Sequence, residues 1–237
     1  MYSKLACLVI ALLALPVLAD AYRAPTLDPA GDADHLGGID PDSTVFWGPT
    51  DKVVGFRNME QLMPTRRIEA SDQPLSLPSN PGDLGGLRIA HGDESMTLDE
   101  YFEAHHTAGL LVIQNGEVLY ERYGLGNTAD SRWVSFSVAK SVVAMLIGAA
   151  IQDGYIDSVD EKVTDYLPRL AGSPYAETSI RNLLQMASGV EWNEDYADPD
   201  SDVATASWET IELYDFLNGK ARVAAPGERF NYNTAET

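Results

Sequence analysis

Apolar and polar positions follow a strand pattern most clearly in GLLVIQNGEVLYERYG, residues 109–124. Two runs of β-prone residues flank Asn115-Gly116, the dipeptide best suited to a type I′ hairpin turn. The pattern therefore predicts two antiparallel strands joined by a two-residue turn.

The chain before this stretch shows little periodicity. Residues 22–95 are rich in Pro, Gly and Asp, which predicts an extended N-terminal arm with short ordered pieces. A helical pattern appears at residues 98–106, where Thr97 can serve as N-cap and Glu100, three residues on, completes a capping box. We therefore expect a short helix just ahead of the hairpin.

After the hairpin, the spacing of apolar residues changes from every second residue, as in a strand, to the spacing of a helix. SVAKSVVAMLIGAAIQDG begins at Ser137 and predicts a helix that stops at Gly154. Its apolar positions cover one face and spread around the rest, which predicts a deeply buried helix; they are Val138, Val142, Met145, Leu146, Ala149 and Ala150.

Three further stretches carry helical patterns. They are DEKVTDYLPRL, which Pro168 limits, SIRNLLQMASG at residues 179–189, and SWETIELYDFLNG at residues 207–219. A hairpin followed by a run of helices indicates an α+β layout, with a helical part inserted after the first strands.

Composition and charge exclude some classes of protein. Hydrophobic residues make up 45% of the 237-residue chain, which is enough for a globular core. The formal charge of −20 argues against nucleic acid as a partner, because phosphate binding needs a basic face. The acidic residues are spread along the chain, as is typical of a solvated surface.

The N-terminus has the form of an export signal. Lys4 is followed by an apolar run and by Ala19-Asp20-Ala21, a small-x-small cleavage pattern. The run of about 14 residues is shorter than the roughly 20 that a bilayer crossing needs. We therefore predict a cleaved signal peptide at residues 1–21, with an uncleaved anchor as the alternative. A periplasmic or extracellular protein without a stable membrane span would result.

The number and position of cysteines exclude several kinds of site. Cys7 is the only cysteine and lies inside the predicted signal. A mature chain without cysteine excludes disulfides, a cysteine nucleophile and thiolate metal sites.

The first candidate for catalysis is the pair Ser137 and Lys140 at the head of the predicted buried helix. The bare pair also fits a plain helix N-terminus with a serine and a lysine that extends to solvent. Residues three apart share a helix face, however, and an apolar surrounding favours a neutral lysine amine, which can accept a serine proton. The helix N-terminus also favours a developing oxyanion.

Other serine-hydrolase arrangements fit poorly. The four histidines all precede Ser137, so a serine–acid–histidine order cannot occur, and there is no G-x-S-x-G elbow. His105-His106 could supply a general base or part of a metal site. No third ligand is suitably spaced to complete a metal site, so we expect the two histidines to be surface residues. We predict no metal and no cofactor. Tyr232, near the end of the chain, can act as a proton shuttle or simply pack.

Three segments resemble the serine β-lactamase-related superfamily, which includes class C β-lactamases, D,D-peptidases, esterases and 6-aminohexanoate-dimer hydrolases. They are SFSVAKSVVAMLIGAAIQDGYIDSVDEKVTDYLP, SIRNLLQMASGVEWNEDY and PGERFNYNTAET, in the family's order. The acidic loop and the NYNTAET segment are most similar to the 6-aminohexanoate-dimer hydrolase branch. The resemblance implies an antiparallel sheet flanked by helices, plus a helical subdomain, with residues 96–237 as the hydrolase domain and 22–95 as an N-terminal extension.

The resemblance also implies roles for individual residues. Ser137 would be the acylated nucleophile, Lys140 the base of S-x-x-K, and Tyr232 the tyrosine of Y-x-N. Trp192 and Tyr196 in the acidic loop would be pocket-wall residues, although aromatic loop residues also commonly pack.

Two departures from the family pattern bear on activity. Thr234 stands where Y-x-N has Asn, which is more typical of esterase-like members. The family's later motif of Lys or His on a pocket strand has no counterpart after Tyr232. A C-terminally truncated chain with an incomplete sheet is therefore expected, with poor folding and little activity if it ends at Thr237.

The expected function is a secreted serine hydrolase acting on a small ester or amide. The alternatives are an inactive binding protein that keeps the fold, and D,D-peptidase or β-lactamase specificity. The sequence does not determine the oligomeric state.

Overall fold

The structure, a computed structural model, describes residues 28–92, 94–208 and 210–237 and contains two compact units. The first unit extends to Val134, and the second covers residues 135–237. The predicted signal peptide lies outside the described residues. Within those ranges, no helix has the length and apolar character needed to cross a membrane.

The first unit begins with short helices. They are α1 (Asp32–Leu36), α2 (Pro49–Arg57) and α3 (Met59–Leu62), with 3-10 turns at Pro29–Gly31 and Pro41–Phe46. These helices pack around a small core of Ile39, Trp47 and Val54. Gly55 allows close packing, because a Cβ atom there would lie 2.2 Å from the Trp47 ring. This part of the predicted arm is therefore helical, whereas residues 64–87 contain no helix or strand.

Two antiparallel hairpins follow, each a separate two-stranded sheet. The elements are β1 (Arg88–His91), β2 (Glu94–Thr97), α4 (Leu98–Ala104), β3 (Gly109–Gln114) and β4 (Glu117–Tyr123). The predicted hairpin is confirmed as β3 and β4.

Local sequence signals explain this part of the chain. The φ angles of +53° at Asn115 and +82° at Gly116 match a type I′ turn. The capping box before α4 is also confirmed: the Glu100 N–H donates to Thr97 Oγ1 at 3.1 Å, and the Thr97 N–H donates to Glu100 Oε2 at 2.7 Å. The β1–β2 hairpin was not predicted, because its four-residue strands alternate too briefly to give a pattern.

The second unit consists of helices joined by loops. They are α5 (Val138–Gln152), α6 (Val163–Tyr166), α7 (Ile180–Leu184), α8 (Asp202–Thr205) and α9 (Thr210–Asn218). The core of this unit includes Ile156, Val163, Leu170, Tyr175, Ile180, Val190, Trp192 and Leu217. Each predicted helical stretch contains a helix, and α5 ends just before Gly154, which has a φ of +78°.

Helix α7 is shorter than predicted. It stops at Leu184, and Met186 adopts a positive φ of +50° that ends the helical path. The next residues pair instead with a distant segment, because the Val223 N–H donates to the Gly189 carbonyl at 2.8 Å. At Gly189 a Cβ atom would lie 2.2 Å from the Ala224 carbonyl oxygen, so only glycine allows this approach.

The prediction that α5 is deeply buried is wrong. No residue of α5 is buried, and Met145 and Leu146 are 74% and 62% exposed. Only one face of α5, around Ile147 and Ile151, packs against the core of the second unit. The helix is apolar around most of its circumference, but its neighbours among the described residues cover one side.

Candidate active site

Ser137 lies immediately before the first residue of α5 and is exposed. Its side chain makes no capping hydrogen bond to the helix. A serine at this position commonly caps the helix, and the Ser137 hydroxyl does not do so. The preceding residue, Phe136, has a φ of +43°, a strained conformation for an aromatic residue. Such strain is concentrated at functional sites.

Lys140 lies one helical turn later and is half-buried. Its Nζ atom is 3.4 Å from Ser137 Oγ and donates a hydrogen bond to it. The same Nζ lies 5.5 Å from the centre of the Tyr232 ring. The structure therefore brings together all three residues predicted to be catalytic, although Tyr232 is distant from the other two in sequence.

The segment around Tyr232 is fixed by its neighbours. The Asn231 N–H donates to the Met186 carbonyl at 2.8 Å, and Asn231 Nδ2 donates to the Trp192 carbonyl at 3.1 Å. The backbone just before Tyr232 is thereby held against the loop that follows α7.

Glu194 holds the other side of this segment. Its carboxylate accepts hydrogen bonds from the Thr234 N–H at 3.0 Å, from the Thr234 hydroxyl, from the Trp192 indole N–H and from the Tyr196 hydroxyl at 3.0 Å. Burial raises the pKa of Glu194, but these hydrogen bonds outweigh it and hold the pKa below its usual value. Glu194 was not among the predicted site residues, because nothing in the sequence of the acidic loop indicates that one of its carboxylates is partly buried.

The two predicted pocket-wall residues occupy different environments. Trp192 is 6% exposed, and its ring contacts Trp208 and Phe216 edge-on at 6.4 and 6.2 Å. Tyr196 is 45% exposed. Trp192 therefore contributes to the core of the second unit, and a role of either residue in substrate binding stays a prediction.

Glu236 is a second carboxyl group that the sequence did not single out. Its Oε1 atom accepts from the Tyr175 hydroxyl at 3.3 Å, from Asn233 Nδ2 at 3.2 Å and from the Ser188 hydroxyl. Its buried Oε2 atom has no hydrogen-bond partner among the residues that the structure describes. Burial raises the pKa of Glu236 from 4.5 to about 7. A proton on Oε2 fits this arrangement.

Replacing Glu236 by glutamine is expected to flatten the pH dependence of stability. Between pH 4.5 and about 7 the folded protein retains a proton that the unfolded chain has lost, so the stability of the natural protein falls as pH rises. The total loss is up to about 3 kcal/mol. Urea unfolding at pH 5 and pH 8 measures it.

The matched control is Glu191→Gln, since Glu191 is exposed in the same part of the chain. This variant should keep the pH dependence of the natural protein. An unchanged pH dependence in Glu236→Gln would show that another group is responsible.

One cavity shares only Lys140 with the three candidate catalytic residues, and the predicted histidine pair lies in the other unit. A mainly apolar cavity of about 510 Å³ in the second unit is lined by Lys140, but not by Ser137 or Tyr232. His105 lies in the first unit, where its ring is 4.3 Å from that of Tyr101. No group of three His, Cys, Asp or Glu side chains within the described ranges could hold a metal ion.

The comparisons with known proteins show the family of the chain. Residues 97–236 match the Beta-lactamase family, and the chain belongs to that family. It is 33% identical over 192 residues to the 6-aminohexanoate-dimer hydrolase of Paenarthrobacter ureafaciens, covering 77% of this chain and 47% of that protein. It is also 30% identical over 102 residues to a Beta-lactamase of Pseudomonas fluorescens, covering 39% of this chain and 28% of that protein.

A solved structure shows the fold. The “Putative 6-aminohexanoate-dimer hydrolase from Bacillus anthracis” superposes with a TM-score of 0.64 at 21% identity, over 78% of this chain and 52% of that chain. The predicted α+β, β-lactamase/transpeptidase-like fold is therefore confirmed, as is the resemblance to the 6-aminohexanoate-dimer hydrolase branch. The chain spans about half the length of these relatives, so the activity, substrates and partners of the whole protein are proposals.

Proposed function

We propose that this protein is an exported serine hydrolase that cleaves a small ester or amide through an acyl-enzyme on Ser137. One observation carries the proposal: Lys140 Nζ lies 3.4 Å from Ser137 Oγ and 5.5 Å from the Tyr232 ring. The residue proposed as base is therefore in contact with the proposed nucleophile, and the ring of the proposed proton shuttle lies near the same amine. The names of the two curated relatives, a hydrolase and a β-lactamase, support this class of reaction.

The first half of the reaction forms the acyl-enzyme. Ser137 Oγ attacks the substrate carbonyl carbon while its proton passes to Lys140 Nζ. The positive end of the α5 dipole, immediately after Ser137, favours the negative charge that develops on the carbonyl oxygen. The bond to the leaving group then breaks: the Tyr232 hydroxyl gives its proton to the leaving group, which departs as an alcohol or an amine, and takes the proton held by Lys140 in return.

The second half releases the acid. Water attacks the acyl carbon, and Lys140 and Tyr232 take its proton and return one to Ser137 Oγ. The substrate class is a small ester or a linear amide with a short acyl chain. Export to the periplasm or outside the cell is proposed from the N-terminal pattern of residues 1–21 alone.

Covalent labelling tests the nucleophile. Treating the full-length protein with a fluorophosphonate probe should place one adduct on Ser137, identified by peptide mass spectrometry. Ser137→Ala should lose the label because no other serine has Lys140 beside it in this geometry within the described residues.

The control variant is Ser141→Ala, which removes the next serine along the same helix. It should keep the label. A labelled Ser137→Ala protein, or a natural protein without an adduct on Ser137, would contradict the proposal, and the second result would favour an inactive binding protein with this fold.

A further inference from the structure

We propose that Glu194 is a positioning residue that holds Tyr232 in place for proton transfer, by tying Thr234 to the loop that carries Trp192 and Tyr196. This inference rests on the proposed function, in which Tyr232 passes a proton to the leaving group. Glu194 touches neither Ser137 nor Lys140 in the hydrogen bonds that the structure shows, so it acts through Tyr232.

The hydrogen-bonding capacity of Glu194 is fully used. A carboxylate has about four acceptor sites. Glu194 Oε1 accepts from the hydroxyl groups of Thr234 and Tyr196, and Oε2 accepts from the Thr234 N–H and the Trp192 indole N–H. A carboxylate held by four donors is a weak proton acceptor, which makes it a structural tie rather than a general base.

The contacts with this loop lie on both sides of Tyr232 along the chain. Thr234 is two residues after Tyr232, and both its backbone N–H and its hydroxyl are held by Glu194. Asn231, one residue before Tyr232, is held by the Trp192 carbonyl at 3.1 Å. The backbone on both sides of Tyr232 is therefore fixed to the same short loop, 40 residues earlier in sequence than Thr234.

Thr234 is the position at which this chain departs from the family's Y-x-N. In this chain the side chain of the third residue is engaged by Glu194. Glu194 thus gives Thr234 a role in holding the tyrosine, and an error of about 1 Å in the position of a proton-transfer group can lower a rate by about 100-fold.

Leaving-group dependence distinguishes positioning of Tyr232 from a general loss of structure. An ethyl ester must have its leaving group protonated, whereas p-nitrophenolate departs without a proton. We expect Glu194→Gln to lower kcat/KM for ethyl butyrate by about 10- to 100-fold, and for p-nitrophenyl butyrate by less than about 3-fold. Both rates are measured on the full-length protein, with urea unfolding to verify that the variant is folded.

A second variant and a control make the test robust. Thr234→Val removes one hydroxyl donor and keeps the side-chain shape, so it should show the same selectivity with a smaller loss. Glu191→Gln, an exposed neighbour, should leave both rates unchanged.

A double-mutant cycle tests whether Glu194 acts through Tyr232. Tyr232→Phe alone should impair the ethyl ester selectively, and Tyr232→Phe with Glu194→Gln should lose no more than Tyr232→Phe alone. Equal losses on both esters in Glu194→Gln, or additive losses in the double variant, would overturn the inference. If Tyr232→Phe itself shows no leaving-group dependence, the proposed role of Tyr232 fails, and the inference fails with it. A selective Tyr232→Phe beside an unselective Glu194→Gln would overturn the inference alone.

Discussion

Replacing Lys140 by methionine is expected to lower kcat for ester hydrolysis by about 10³- to 10⁴-fold, because it removes the base that takes the Ser137 proton. Lys140 Nζ is 3.4 Å from Ser137 Oγ, close enough for the transfer once a substrate is bound. Methionine suits the site sterically, since Lys140 lies at the edge of the apolar cavity beside Val143 and Ala144. Single-turnover kinetics with p-nitrophenyl butyrate measure the acylation rate.

The control for this prediction is Lys162→Met. The Lys162 ammonium pairs with Glu177 at 2.7 Å on the surface, where an ion pair contributes about 0–1 kcal/mol. Lys162→Met should therefore keep its turnover. If Lys140→Met retained a rate within about 10-fold of the natural protein, Lys140 would not be the base.

Replacing Arg57 by methionine is expected to destabilise the first unit by about 3–5 kcal/mol. Arg57 and Asp32 form a buried bidentate pair with two contacts of 2.6 Å, and their side chains are 5% and 7% exposed. Arg57 also donates to the Leu125 carbonyl at 2.7 Å. Its removal leaves a buried Asp32 carboxylate without its charged partner, which urea unfolding detects as a lower unfolding midpoint.

Arg132→Met provides the matched comparison in the same unit. Arg132 pairs with Glu60, but both side chains are at least half exposed, so the expected change is below about 1 kcal/mol. Equal effects of the two substitutions would show that the Arg57–Asp32 pair does not stabilise the unit.

Most of the secondary structure of residues 97–237 could be predicted, because its signals are local. The hairpin turn, the capping box and the end of α5 depend on residues within a few positions of one another. The early end of α7 could not be predicted, because Gly189 leaves the helical path to contact Ala224, a residue that is distant in sequence.

The candidate site was predicted in part. Ser137 and Lys140 share a helix face by spacing alone, and Tyr232 followed from the family resemblance. Glu194 and Glu236 could not be selected among many acidic residues, because only burial and the convergence of several donors set them apart.

The sequence by itself therefore determined the local elements, the place of Ser137 and Lys140 one turn apart, and the family. These depend on residue spacing within a turn or a helix. Only the tertiary structure decided that Tyr232 reaches Lys140, that Glu194 ties down the segment after Tyr232, and that α5 is covered on one side only. The physical reason is that these contacts form between segments that are far apart in the sequence. The periodicity of apolar residues reports local structure and does not show which distant segments pack against each other.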